Sequence, residues 1–228
     1  MPVFLAGYGY AKTIARTLDV PLYEYSHQEG HIMAGIRSGE CYEFLEEPFI
    51  SVHISGGTTE ILKTYFNGNG FESEIIGGTK DISAGQFIDR VGVAMVLRFP
   101  AGKEVEKMAL SAQKRISLPI KADGAWMNLS GVETKALRLI ETGDFSREEL
   151  AMGVLYEVKK ALVKTITAAL RETGLKRVLI AGGVASNSII REGLVSIPYE
   201  VRFASKEFSS DNAMGIAELA RLYSASQR

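Results

Sequence analysis

The chain has 228 residues, 46% of them hydrophobic, and a formal net charge of −1. That length and apolar content suffice for one large core or two modest ones and exclude a disordered chain. The near-neutral charge excludes a global attraction to phosphate backbones, so any nucleic-acid contact must rest on local patches or on a partner. The single cysteine, Cys41, excludes an internal disulfide. No stretch reaches eighteen apolar residues and the N-terminus lacks a basic-then-apolar leader pattern, so a soluble, cytoplasmic protein without membrane association is expected.

In chain order, residues 2–6 read as a buried strand, Gly7 and Gly9 as a turn, and residues 11–18 as a helix with Ile14, Ala15 and Leu18 inward. Residues 20–25 read as a second strand, which makes β-α-β and a largely parallel sheet. His27 to His31 then opens a short helix. The polar run 38–47, closed by Pro48, reads as a linker. Alternation over 49–54, 60–66 and 71–76, punctuated by Gly56-Gly57 and by Gly68-Asn69-Gly70, predicts a three-stranded antiparallel meander. His53, in its first strand, reads as a core-edge or surface residue.

Residues 83–97 predict a helix, Phe99-Pro100-Ala101-Gly102 a break, and residues 103–114 a second helix. Residues 117–120 read as a short strand and 121–130 as a loop carrying Trp126. A helix at 134–141 precedes the longest one, 147–173, on which Leu150, Val154, Leu155, Val158, Leu162, Thr165, Ile166 and Ala169 trace one apolar stripe. The end alternates again: strand 176–181, Gly182-Gly183, helix 187–194, strand 199–203 and helix 212–223 behind Ser209-Ser210-Asp211. Lys159, Lys160, Lys164 and Arg171 form either a basic stripe for nucleic acid or a solvated helix face.

Five features bear on chemistry. His27 and His31 stand four residues apart, so on a helix both imidazoles reach one cation or share a solvated face. A thermolysin-type protease is disfavoured: Gln28 stands where that chemistry needs glutamate, and Glu29 projects about 200° around the helix from His27. Ser55-Gly56-Gly57-Thr58-Thr59 offers unshielded N–H groups and hydroxyls for a phosphate, or is an ordinary hairpin turn. Gly182-Gly183 lies at a strand end, where open α/β sheets bind ligands, with Asn187 near the next helix start as a cap. Asp89 can accept bonds from a ribose diol or pair with a cation. Asp211 can cap the last helix or complete a His-His-Asp metal set.

Taken together and in order, HQEGH, SGGTTE, DISAGQFIDRVG, FPAG, AGGVASN and SSDNA closely resemble the family that makes threonylcarbamoyladenosine on tRNA. This is the TsaD type of bacteria, called Kae in archaea and eukaryotes and formerly O-sialoglycoprotein endopeptidase. The resemblance covers essentially the whole chain. It implies an α/β, actin-like ATPase fold of two ribonuclease-H-like lobes with the active site between them. It assigns residues 1–40, joined by a C-terminal helix at 209–228, to a remnant of the first lobe and residues 41–208 to the second.

The resemblance further implies that His27, His31 and Asp211 bind one divalent metal ion, iron or zinc. It implies that Ser55, Gly56, Gly57, Thr58 and Thr59 face the phosphate of an adenylate, and that Asp89, Gly102 and Asn187 hold its ribose and base. The implied activity is transfer of the threonylcarbamoyl group from threonylcarbamoyl-adenylate to the adenine beside the anticodon of tRNAs reading codons that begin with A. Partner proteins of the same pathway are implied, and no residue is assigned as a catalytic nucleophile. A mixed anhydride already carries a good leaving group, so positioning and electrostatics suffice.

Departures from the family pattern are visible. Members carry an opening group of strands ahead of the segment matching PVFLAGYGYAK, so an incomplete first lobe beside a complete second one is expected. Thr58 stands where the family has His, Gln86 where it has Glu, Lys103 where it has Pro, and Glu133 where it has Lys. The alternative expectation is therefore a truncated or divergent, non-catalytic relative acting as a binding or dimerisation module of the same assembly.

Overall fold

Alternation from Phe49 onward produces the expected antiparallel meander. In the computed structural model, which describes residues 2–143, 145–205, 207 and 213–226, it comprises β1 (Phe49–Ile54), β2 (Thr59–Phe66) and β3 (Phe71–Thr79). On the other side of β1 lie β6 (Arg177–Ala181) and then β7 (Glu200–Phe203), both parallel. A hairpin of β4 (Lys121–Asp123) and β5 (Trp126–Asn128) extends the far edge, giving the order β4-β5-β3-β2-β1-β6-β7. This corrects the expected strand at 117–120 and loop at 121–130. Three-residue strands around Asp123-Gly124 carry too little alternation to be seen, although Asp-Gly is itself a hairpin signal.

Two cores follow from the two faces of the sheet. Ile50, Val52 and Ile54 of β1 and Val178 and Ile180 of β6 face one core, while Phe49 and Leu179 face the other. The first is closed by α3 (Ala84–Ala94), α4 (Gly102–Ala109), α5 (Ser130–Thr142), α6 (Arg147–Thr173) and α7 (Ser188–Val195). Every residue of the stripe expected on α6 is buried. Parallel strands need crossovers, and α7 supplies the one between β6 and β7.

The second core is closed by α2 (His27–Ser38) and α8 (Met214–Ser226), with Met33, Ile36, Phe44, Phe49, Phe71 and Leu219 at its centre. The two helices touch backbone to backbone. A methyl on Gly215 would stand 1.8 Å from the carbonyl oxygen of Gly30, so only glycine allows this crossing. A capping box starts α2: Ser26 Oγ accepts from Glu29 N, and Glu29 Oε2 accepts from Ser26 N. The second oxygen of Glu29 accepts from Phe71 N at 3.1 Å, which pins α2 to the start of β3.

The N-terminal reading is corrected. Residues 2–18 form one continuous helix, α1 (Pro2–Leu18), and residues 20–25 belong to no strand or helix. The β-α-β reading needed neighbouring strands, whereas a helix satisfies its own backbone groups. Of the three residues expected inward, only Ala15 is buried, with Ile14 and Leu18 exposed. Among the described residues no helix is long and apolar enough to cross a membrane.

Glu218 of α8 fixes the second core electrostatically. Its buried carboxylate accepts from Arg221 at 2.7 and 3.0 Å, from Tyr42 Oη at 2.8 Å and from Arg37 at 2.6 Å. The Arg221 bonds, opposed by burial and assisted by Tyr42, hold its carboxyl down at about 2. A depressed carboxyl contributes stability above its unfolded value, and that contribution is lost as pH falls toward the folded one. Glu218→Gln is therefore expected to lower unfolding free energy at neutral pH by roughly 2 kcal/mol. It should also flatten the acid limb between about pH 5 and pH 2, as read by urea unfolding across pH. An unchanged acid limb would remove Glu218 from this role.

Candidate functional site

β1 ends at Ile54, and the chain turns immediately through Ser55, Gly56, Gly57 and Thr58. Ser55 N donates to Thr58 O at 2.8 Å, and Ser55 Oγ accepts from Gly57 N at 3.3 Å and from Thr58 N at 3.1 Å. Both lone pairs of that hydroxyl shape the turn, which leaves its O–H to donate outward.

The N-terminus of α3 holds this turn in place. Ser83, the N-cap, donates from Oγ to Gly56 O at 2.7 Å and accepts from Gln86 N at 3.0 Å. Gln86 Oε1 closes the capping box on Ser83 N at 3.2 Å, so glutamine does here what the family's glutamate would do as a cap. Thr59 acts structurally, its buried hydroxyl accepting from Ala84 N at 2.9 Å. Gly85 seals the contact, because a methyl there would stand 2.4 Å from Ser55 O and 2.6 Å from Gly56 Cα. The positive end of the helix dipole thus lies against the glycine turn.

Below the turn opens a cavity of about 650 Å³. Gly56, Asp89, Gly102 and Asn187, four of the eight residues expected to bind substrate, all line it. Asp89 Oδ1 accepts from Ala101 N at 2.7 Å and so fixes the segment that bears Gly102. Asn187 caps α7 with Oδ1, accepting from Ile190 N at 3.1 Å, which leaves its Nδ2 donors for a ligand. Glu106, not singled out in the sequence, lines the same wall and accepts from Ser188 N and Ser188 Oγ.

The histidines gather at the other side of β1. His27 and His31 bring their Nε2 atoms to 3.1 Å of each other. With metal–nitrogen bonds of about 2.1 Å, such a pair subtends about 95° at a shared ion, so the two imidazoles fit a common cation. Glu29, committed to Ser26 and Phe71, is not available as a protease base. Asp211 lies outside the described residues, and among those described no cluster of three or more His, Cys, Asp or Glu is placed to hold a metal ion.

His53, read from the sequence as a core-edge or surface residue, is half-buried at the core edge. Its ring packs edge-on against His31, with centroids 5.2 Å apart and an interplanar angle of 83°. The alternation of β1 turns Phe49, Ser51 and His53 to the α2 face. All three histidines of the chain therefore stand in one row beside the glycine turn, His53 being two residues from Ser55.

A family model described as TsaD, tRNA N6-adenosine threonylcarbamoyltransferase, matches residues 4–218. A curated tRNA N6-adenosine threonylcarbamoyltransferase of Thermus thermophilus is 35% identical over 216 residues, which cover 93% of this chain and 64% of that protein. The chain thus spans somewhat under two thirds of that relative's length. Among solved structures, T. kodakarensis HypF superposes with a TM-score of 0.74 at 15% identity, over 96% of this chain and 39% of that one. The activator of 2-hydroxyisocaproyl-CoA dehydratase from Clostridium difficile gives 0.56 at 16% identity, over 89% and 69%. The fold is the actin-like ATPase fold, as expected.

The glycine turn's dependence on α3 is open to a direct test. Gly85→Ala forces backbone atoms of Ser55 and Gly56 apart and is expected to lower stability by roughly 1–3 kcal/mol. If the cavity beneath takes an adenine nucleotide, as the resemblance implies, the substitution should also weaken that binding. Thermal unfolding and a nucleotide titration of the same variant check both, and native behaviour in both would show that the turn is not held this way.

Proposed function

This chain belongs to the TsaD family, tRNA N6-adenosine threonylcarbamoyltransferase, and from that premise we propose that it transfers the threonylcarbamoyl group from threonylcarbamoyl-adenylate to the adenine beside the anticodon of tRNA. The observation that carries the reading is the meeting of Gly56, Asp89, Gly102 and Asn187 around one cavity, with the His27–His31 pair at the end of the same strand.

In this reading the cavity holds the adenylate. Asn187 Nδ2 and the segment fixed by Asp89 and Gly102 hold ribose and base. The turn from Ser55 to Thr59, backed by the α3 dipole, faces the phosphate. The exocyclic amine of the acceptor attacks the carbamoyl carbon, the bond from that carbon to the phosphate oxygen breaks, adenylate leaves, and the amine loses one proton. Neither nucleotide group needs activation by a serine or cysteine, so the protein's work is to hold both in line and shield them.

His27, His31 and Asp211 would hold one divalent ion, iron or zinc, which when bound polarises an acyl or carboxylate oxygen of the substrate. What supports Asp211 as the third ligand is its place in the chain, four residues before Gly215, which rests on Gly30 next to His31. Residues 1–40 with 209–228 are proposed to stand for the first lobe and residues 41–208 for the second. Partner proteins that supply the adenylate and help to seat the tRNA, and a cytoplasmic location, belong to the same reading.

The test combines metal analysis with a transfer assay on unmodified tRNA transcript, the partner proteins being added. The native chain is expected to carry about one ion, and His27→Ala and Asp211→Ala to lose bound metal and transfer together. Metal retained at native stoichiometry in both variants withdraws the ligand set. Absence of product with the complete native mixture withdraws the transferase reading.

A further inference from the structure

A second cavity, of about 780 Å³, lies beyond Phe99 and is not used by anything above. Its walls come from α3 and α5: Val93 and Leu137 with Phe99 are apolar, while Gln86, Arg90 and Glu133 supply polar groups. It shares Gly56, Asp89 and Phe99 with the first cavity, so the two meet along the glycine turn.

Three observations define what it would take. Its apolar wall is held open to solvent, Phe99 being 70% and Val93 47% exposed, and a patch of large apolar side chains beside polar groups marks a binding surface. Its charge is spent or negative: Arg90 Nη1 pairs with Glu133 at 3.3 and 3.4 Å, and Asp89 adds a second carboxylate. A lysine at position 133, as in the family pattern, would have made two cations here. With Glu133 the wall disfavours a phosphate and suits a neutral ring. Gln86, finally, keeps its Nε2 donors after Oε1 has closed the cap on Ser83.

We propose that this second cavity seats the acceptor nucleobase, an uncharged planar heterocycle stacked on Phe99 between Val93 and Leu137 and bonded at its edge by Gln86 and the Arg90–Glu133 pair. The proposal rests on the reading of the first cavity as the adenylate site. Stacking on an aromatic side chain is how a base outside a duplex is held. A base so placed would lie across Gly56 from the donor, the proximity that a transfer between two bound nucleotides requires.

The experiment uses the full chain with the first cavity saturated by a non-hydrolysable ATP analogue, and adenosine as probe in equilibrium dialysis. One further equivalent of adenosine is expected. Val93→Trp and Leu137→Trp, which fill only the second cavity, should each weaken it at least about tenfold while leaving affinity for the ATP analogue within about twofold. AMP should bind this second site about tenfold more weakly than adenosine, and Glu133→Lys should reverse that preference. No second equivalent, a second equivalent that survives both tryptophans, or a native preference for AMP overturns the proposal and leaves the first cavity's reading intact. Failure of the ATP analogue itself to bind removes that reading, and the inference with it.

Discussion

The structure depends on the burial of β1 on both of its faces. β1 lies between β2 and β6, so no residue of it faces an open edge. Its pleat sends Ile50, Val52 and Ile54 into the core under α3–α7, and its other residues toward α2. One strand therefore positions two different chemistries. Its end delivers the glycine turn to the cavity lined by Asp89, Gly102 and Asn187, and its α2-facing row delivers His53 to the His27–His31 pair. A register slip of one residue would exchange the two sets, which the packing on both faces forbids.

Polar side chains that each serve two elements make the turn rigid. Ser83 caps α3 and holds Gly56, Thr59 ends the turn and accepts from the first residue of α3, and Asp89 leaves α3 to hold Ala101. A further anchor is Asp81, just ahead of α3. Burial alone would raise its carboxyl, but hydrogen bonds from Leu129 N, Ser130 Oγ and N, and Ile82 N outweigh it and hold the group well below the usual carboxylate range. That carboxylate ties the loop before α3 to the start of α5, and so fixes the two helices that form the walls of the second cavity.

Much of this was legible before any coordinates. The meander, the buried stripe of α6 and the capping Asn187 of α7 follow from periodicity and cap chemistry, which are local. The expected strand at 2–6 failed because a run such as Val3-Phe4-Leu5 suits strand or helix equally, and only the presence of a neighbouring strand decides. Of the eight positions that the resemblance singles out for substrate, four share one cavity. The commitment of Ser55 and Thr59 to their own backbone, and the arrival of His53 beside His31, depend on which helix lies over which face of the sheet. No spacing along the chain carries that information.

The stripe of cations on α6 amounts to a small local patch. Lys159 pairs with Glu192 and lies over Tyr156, and Lys164 donates to Ala122 O at 2.8 Å. Lys164 keeps its charge, since a carbonyl neutralises nothing, and a helical rise of about 1.5 Å per residue puts it about 6 Å from Lys160 and about 10 Å from Arg171 along the axis. The screening length at physiological salt is about 8 Å, so Lys160 and Lys164 act together while Arg171 stands apart from them. With a formal net charge of −1, the chain gains little from attracting a polyanion at long range. In the proposed reading, discrimination among ligands falls to groups in contact with them: the cap-held turn, the amide of Asn187, and the aromatic face of Phe99 between the two cavities.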